Sequence, residues 1–169
     1  MKQKGFKYNV RKRIIQKAIR QNRRAVVFPT PGLIRSIGIV KENDVDFDFQ
    51  IKNLTTNTDL VILNLVSDKL PEEHDQKLLS LTNGLNFWGL PTKKNIETFV
   101  SAPFDLLINF SALQNDVIDY ICAQSLAKFK AGVVYAGEVY DLVIDQETFN
   151  GSLFIDELEK AFRNFNTLN

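Results

Sequence analysis

Arg13, Lys17, Arg20 and Arg24 stand four, three and four residues apart, with Lys12 and Arg23 beside them. Residues three or four apart share one face of an α-helix, so a helix over residues 7–24 would gather the four cations into one basic stripe. Val10, Ile14, Ile15, Ala18 and Ile19 would form an apolar stripe next to it, with Arg11 falling inside that apolar stripe. An amphipathic helix of this kind needs a surface for its apolar side, and its basic side suits phosphate oxygens, acidic protein patches or anionic headgroups. RNA or an acidic protein surface is the expected partner. Arg13, Lys17, Arg20, Arg24, Lys12 and Arg23 are the expected contacts.

A second group of polar residues follows the aliphatic runs: Asn43 with Glu42 and Asp44, Asp68 with Ser67, Asn109 with Ser111, and Asp145 with Gln146 and Glu147. In an open parallel sheet, ligands bind outside the carboxyl ends of the strands, where the strand order reverses. Asn43, Asp68, Asn109 and Ser111 are therefore the candidates for holding a nucleotide or a sugar-phosphate. Capping of helices and closing of turns accounts for the same residue types. No G-x-G-x-x-G, G-x-x-x-x-G-K-[ST] or G-x-S-x-G stretch occurs, so no phosphate loop or nucleophile elbow accompanies them. His74 sits in the hydrophilic run "PEEHDQK" and is expected to be exposed. Cys122, with Val117, Ile118, Ile121 and Leu126, reads as part of an apolar helix face. One cysteine and one histidine make neither a disulfide nor a zinc cluster, and no catalytic residue, metal or cofactor is assigned. Phe87 and Trp88 have the rings to stack on a base or sugar, although buried anchors are the more frequent use of such a pair.

The elements that must position these residues show in the alternation of apolar runs and amphipathic stretches. Strands are expected at 36–40, 59–66, 104–110, 131–136 and 140–145. Near-continuous apolar strands are buried on both faces, which is the mark of a parallel sheet covered by helices. Helices are expected at about 47–56, 93–101, 114–128 and 152–166, the last carrying Leu153, Leu158, Ala161, Phe162 and Phe165 at helical spacing. The expectation is a three-layer α/β, Rossmann-like domain over 25–169, with about five mainly parallel strands, preceded by the basic helix over 1–24. Leu60, Ile62, Leu106, Ile108, Val133, Val143 and Ile144 should be buried. Few residues separate the last two strands, and a parallel crossover takes a dozen or more, so these two should pair antiparallel or not be neighbours. Residues 25–33, with Pro29 and Pro31, read as a connector. Residues 67–92 read as a long crossing with a short helix and then "LNFWG" as a weak edge strand or a tucked loop.

Composition limits what such a domain can be. With 169 residues and 44% hydrophobic composition, the chain is long enough to bury a large core without staples. Its formal charge of +1 hides an asymmetry, because residues 1–24 hold ten of the 21 Lys and Arg and none of the 20 Asp and Glu. One simple consequence is that the basic segment docks in part on an acidic body. The apolar runs are far too short to cross a bilayer, and no apolar signal core follows the basic start, so a cytoplasmic location is expected.

The succession of "FPTPGLIRSIGIVKEND", "NFWGLPTKKNIETFVSAPFDLLINFS" and "LAKFKAGVVYAGEVYDLVID" resembles an uncharacterised family of small bacterial α/β proteins, a domain of unknown function. More locally, "FDLLINFSALQND" followed by "LAKFKAGV" is similar to the N-terminal half of heptosyltransferase-like glycosyltransferases. That second resemblance implies a Rossmann-like half. The nucleotide-sugar site of those enzymes lies mainly in their other half, so it implies no donor site here. Three functions remain in order: a non-catalytic binding protein whose basic helix contacts RNA, a nucleotide- or sugar-phosphate-binding enzyme or its remnant, and a protein-protein or membrane-surface adaptor.

Overall fold

Aliphatic runs that have no polar side to offer water form the middle of the sheet. The computed structural model describes residues 2–42, 58–69, 77–111, 114–133, 137–146 and 150–167. In chain order the elements are α1 (Lys2–Gln21), β1 (Ser36–Glu42), β2 (Asp59–Val66), β3 (Leu78–Ser80), α2 (Lys93–Ser101), β4 (Leu106–Phe110), α3 (Asp116–Gln124), β5 (Phe129–Val133), a 3₁₀ turn (Gly137–Val139), β6 (Leu142–Ile144) and α4 (Gly151–Thr167). The six strands form one sheet in the order β3-β2-β1-β4-β5-β6, and every neighbouring pair is parallel. This is the doubly wound order of a Rossmann-like fold. The helix expected at 47–56, together with Asn43, Asp44, His74 and Glu147, lies outside the described residues.

Alternation along the strands divides the core in two. Ile37, Ile39, Leu106, Ile108, Phe129 and Ala131 pack on α4 through Phe154, Ile155, Leu158 and Phe162. On the opposite face, Val40, Leu63, Leu65 and Leu107 lie beneath α1, α2 and α3, which contribute Ile15, Ile96, Phe99, Ile118, Ile121 and Cys122 among others. Each large side chain so buried contributes about 2–3 kcal/mol. Close approach is built in at Gly38, where an added Cβ would stand 2.6 Å from the Phe104 ring.

Several expectations need correction. β5 and β6 are parallel neighbours, with Ala131, Gly132 and Val133 opposite Leu142, Val143 and Ile144. Among the described residues of this crossover, Val139, which ends the 3₁₀ turn, and Tyr140 after it enter the core. The sixth strand, β3, is only three residues long, too short for any periodicity to announce it. Leu60 and Val143 are each 42% exposed rather than buried. β3 pairs with β2 only from Asn64 onward, which leaves Leu60 in an edge-like half of its strand, and β6 is the edge strand itself. Leu126 is exposed because α3 stops at Gln124, and on α4 Leu153 and Phe165 are exposed while Phe154 and Ile155 take the buried face.

The connector at 25–33 does run without regular structure until a turn at 31–33, and is tied by the Val27 N–H to the Lys128 carbonyl. Phe28 anchors it, edge-on to Phe129 and Phe162 at 4.9 and 5.6 Å. "LNFWG" forms no strand beyond the single bridge from Leu85 to Pro91. It is a tight turn in which the Asn86 carboxamide oxygen accepts from the Trp88 and Leu90 N–H groups, and Gly89 adopts φ +75°. Leu90 is its buried anchor.

Candidate functional site

The cations of the N-terminal segment separate into two sets according to where α1 ends. The helix stops at Gln21 because the Asn22 carboxamide donates to the carbonyls of Ala123 and Ser125 at the end of α3, both at 2.7 Å. Arg24 therefore leaves the stripe expected for it. Its Nη2 donates to both Asp141 carboxylate oxygens at 2.7 and 2.6 Å, and its Nη1 to the Lys128 carbonyl at 2.8 Å. The two side chains are 12% and 16% exposed. Arg11 and Lys12 approach the Asp116 carboxylate at 3.5 and 3.7 Å, and Asp116 sits in the first turn of α3, where a negative charge complements the helix dipole. Arg13, Lys17 and Arg20 instead lie on the outer face of α1, exposed, with Arg23 exposed just beyond its end. Among the described residues, no acid pairs with any of these four.

The start of the same helix meets the turn at 85–91. Phe6 lies 6.4 Å from the Trp88 ring, Phe87 and Trp88 are edge-to-face at 5.0 Å, and the Lys7 ammonium stands 4.3 Å over Phe87. Phe6 is 64% and Phe87 73% exposed. Phe6 is seven residues before Arg13, hence on the same helix face.

The strand carboxyl ends present a different picture. The order reverses between β1 and β4, which places Glu42 and Ser111 at the crevice where Rossmann-like sheets bind ligands. Asn115 spans it, donating to the Glu42 carboxylate at 2.7 Å while its oxygen caps α3 through the Val117 N–H. Ser111 is buried. Asn109 does not open into this crevice. With Ile108 and Phe110 facing α4, it faces α3, and its amide donates to the Tyr140 hydroxyl at 2.7 Å. Asp68 is exposed beyond β2, two strands from β4, and its carbonyl accepts from Ser80 Oγ. Asp68 and the Asn109–Ser111 pair are thus not brought together.

A polar group that the sequence did not reveal is buried between the sheet and α3. Tyr140 passes the hydrogen bond from Asn109 on to Asp119, at 3.2 Å, and Lys130 donates to the Cys122 carbonyl at 2.6 Å. Burial pushes the Asp119 carboxyl up to about 6 and the Cys122 thiol up to about 12. Burial, with Arg24 nearby, brings Lys130 down to about 8. A thiol held protonated in this way is no nucleophile. Lys130 also lines a cleft of about 200 Å³ with Asn22, Arg24, Glu138 and Asp141, at the amino ends of β5 and β6. That is the sheet end opposite the usual ligand crevice. Among the described residues, no group of three or more His, Cys, Asp or Glu is placed to hold a metal ion, and no helix is long and apolar enough to cross a membrane.

Comparison with known proteins adds one match. No curated protein and no solved structure matches the chain. The family of unknown function DUF6913 matches residues 7–163, nearly the whole of it, from the first turns of the basic helix into the last turns of α4, and the chain belongs to that family.

Proposed function

We propose that this is a non-catalytic cytoplasmic binding protein whose outer α1 face engages a polyanion, RNA foremost, with the α/β body as its platform. The observation that carries this reading is the sorting of the cations. Arg11, Lys12 and Arg24, which face the body, are matched to Asp116 and Asp141, whereas Arg13, Lys17 and Arg20 face outward with no acid partner among the described residues. A cation placed only for internal docking would be matched in the same way as Arg24. Three on one exposed face, with Arg23 beyond them, suit a run of phosphates. The strand order is compatible with an enzyme of glycosyltransferase-like fold, but Asn109 faces α3 and Asp68 stands two strands away, so the residues such a site would need are dispersed.

The reading is tested by titrating a labelled single-stranded RNA against the full chain over a range of salt concentrations. Three phosphate contacts should give a slope of log affinity on log salt near −2, from about −0.7 per contact. Salt-insensitive binding, or no binding of the RNA at low salt, would refute it.

A further inference from the structure

Three aromatic rings at the start of α1 are left unexplained by a purely electrostatic interface. Trp88 is in ring contact with both Phe6 and Phe87, yet Phe6 and Phe87 remain largely in water. Their exposure is built rather than incidental. The turn that carries Phe87 is closed by two hydrogen bonds to the Asn86 side chain, by the left-handed Gly89 and by the buried Leu90, so its hydrophobic anchoring is complete without Phe87. Phe6 continues the line of Arg13, Lys17 and Arg20, and at 1.5 Å per residue the row from Phe6 to Arg20 is about 21 Å long. Lys7 adds a cation directly over Phe87.

We infer that Phe6, Phe87 and Trp88 form a stacking platform for unpaired bases, so that the polyanion taken by α1 is a single-stranded nucleic acid lying along the helix. The inference rests on the reading of α1 as a polyanion-binding face. Single-strand binding surfaces combine cations for the backbone with rings for the bases, and here Phe6 stands on the cation face of α1 and joins it to Trp88. A duplex keeps its bases stacked inside and could use only the cations. An anionic membrane would also meet rings and cations, but a helix lying in a membrane interface needs a free apolar side. Ile15 and Ala18 have already buried that side of α1 in the core.

The full chain has one tryptophan, Trp88, so its emission reports directly on the platform. The probes are a single-stranded RNA of about twelve uridines, an abasic oligomer of equal charge, the matching duplex, and phosphatidylglycerol vesicles. The RNA should quench Trp88 and bind on the order of tenfold more tightly than the abasic oligomer. Phe6→Ala and Phe87→Ala should each remove much of that advantage, with the circular dichroism spectrum unchanged. Equal, salt-sensitive binding of RNA and abasic oligomer, with Trp88 emission unmoved, overturns the platform and leaves the polyanion reading standing. Quenching by vesicles and not by RNA overturns the platform in favour of a lipid surface. Failure of every polyanion to bind removes both readings.

Discussion

Arg20 and Arg24 are four residues apart and meet opposite surroundings. Arg20 stands on the last turn of α1 and projects into solvent, while Arg24, past the end of the helix, forks onto Asp141 and closes the N-terminal segment onto the start of β6. Residue type and helical spacing are the same for both. What separates them is Asn22, whose hydrogen bonds to the end of α3 turn the chain away before another helical turn can form. A charge-rich segment thus divides into a clamp, satisfied within the fold, and an outer face without acid partners among the described residues.

The clamp should break most visibly. An ion pair whose two side chains are largely withdrawn from water loses far more on truncation than an exposed charge, because the remaining partner is left desolvated. Arg24→Ala is expected to cost about 2–4 kcal/mol in urea unfolding. Asp141→Ala should cost at least as much, since Asp141 also accepts from the Lys130 N–H at 2.8 Å. A cost below about 0.5 kcal/mol for both would place Arg24 with the outer cations.

The pH dependence sharpens the same contrast, because groups buried beside the clamp should respond where outward cations do not. The Asp119 carboxyl rises from its ordinary 3.8 to about 6, through burial, so between these values the folded protein holds a proton that the unfolded chain has released. Stability should therefore fall as pH rises from about 4 to 6, by roughly 1–3 kcal/mol. Asp119→Asn should abolish that fall in a series of unfolding curves. Lys130 runs the other way. Brought down from 10.5 to about 8, it is neutral in the fold and still charged in the unfolded chain between those two values, so stability gains as pH rises above about 8, and Lys130→Met should remove the gain. Unchanged pH profiles in both variants would contradict the buried placement of these groups. Smallest of all should be the outward changes: Arg13→Gln, Lys17→Gln and Arg20→Gln should each shift stability by less than about 0.5 kcal/mol.

What could be read in advance follows the range of the interactions. β1, β2 and β4 were legible because a strand covered on both faces must be aliphatic nearly throughout, and α2 because Pro103 limits it; β5 begins two residues before the run expected at 131–136, because the buried Lys130 hides its start. β3 was not legible, since three residues carry no period, and the parallel β5–β6 pair was missed because its crossover carries a 3₁₀ turn where a helix is usual. Spacing alone located Arg13, Lys17 and Arg20. It also assigned Arg24 to them, because the helix end is set by a contact between Asn22 and residues about a hundred positions away. The meeting of Phe6 with Trp88 is tertiary in the same sense, and so is the Asn109–Tyr140–Asp119 chain, whose members stand on a strand, a turn and a helix. Phe87 and Trp88 were visible as rings. The exposure of Phe87 was decided by the Asn86 turn.

The most direct test sets the two sets of cations against each other in one experiment, measuring both RNA affinity across salt and unfolding free energy for Arg13→Gln/Lys17→Gln/Arg20→Gln and for Arg24→Gln. The triple variant is expected to lose about two units of salt slope while its stability stays within about 1 kcal/mol of the parent. Arg24→Gln should keep its slope and lose stability. A triple variant that binds RNA with the parent's salt slope would contradict the account.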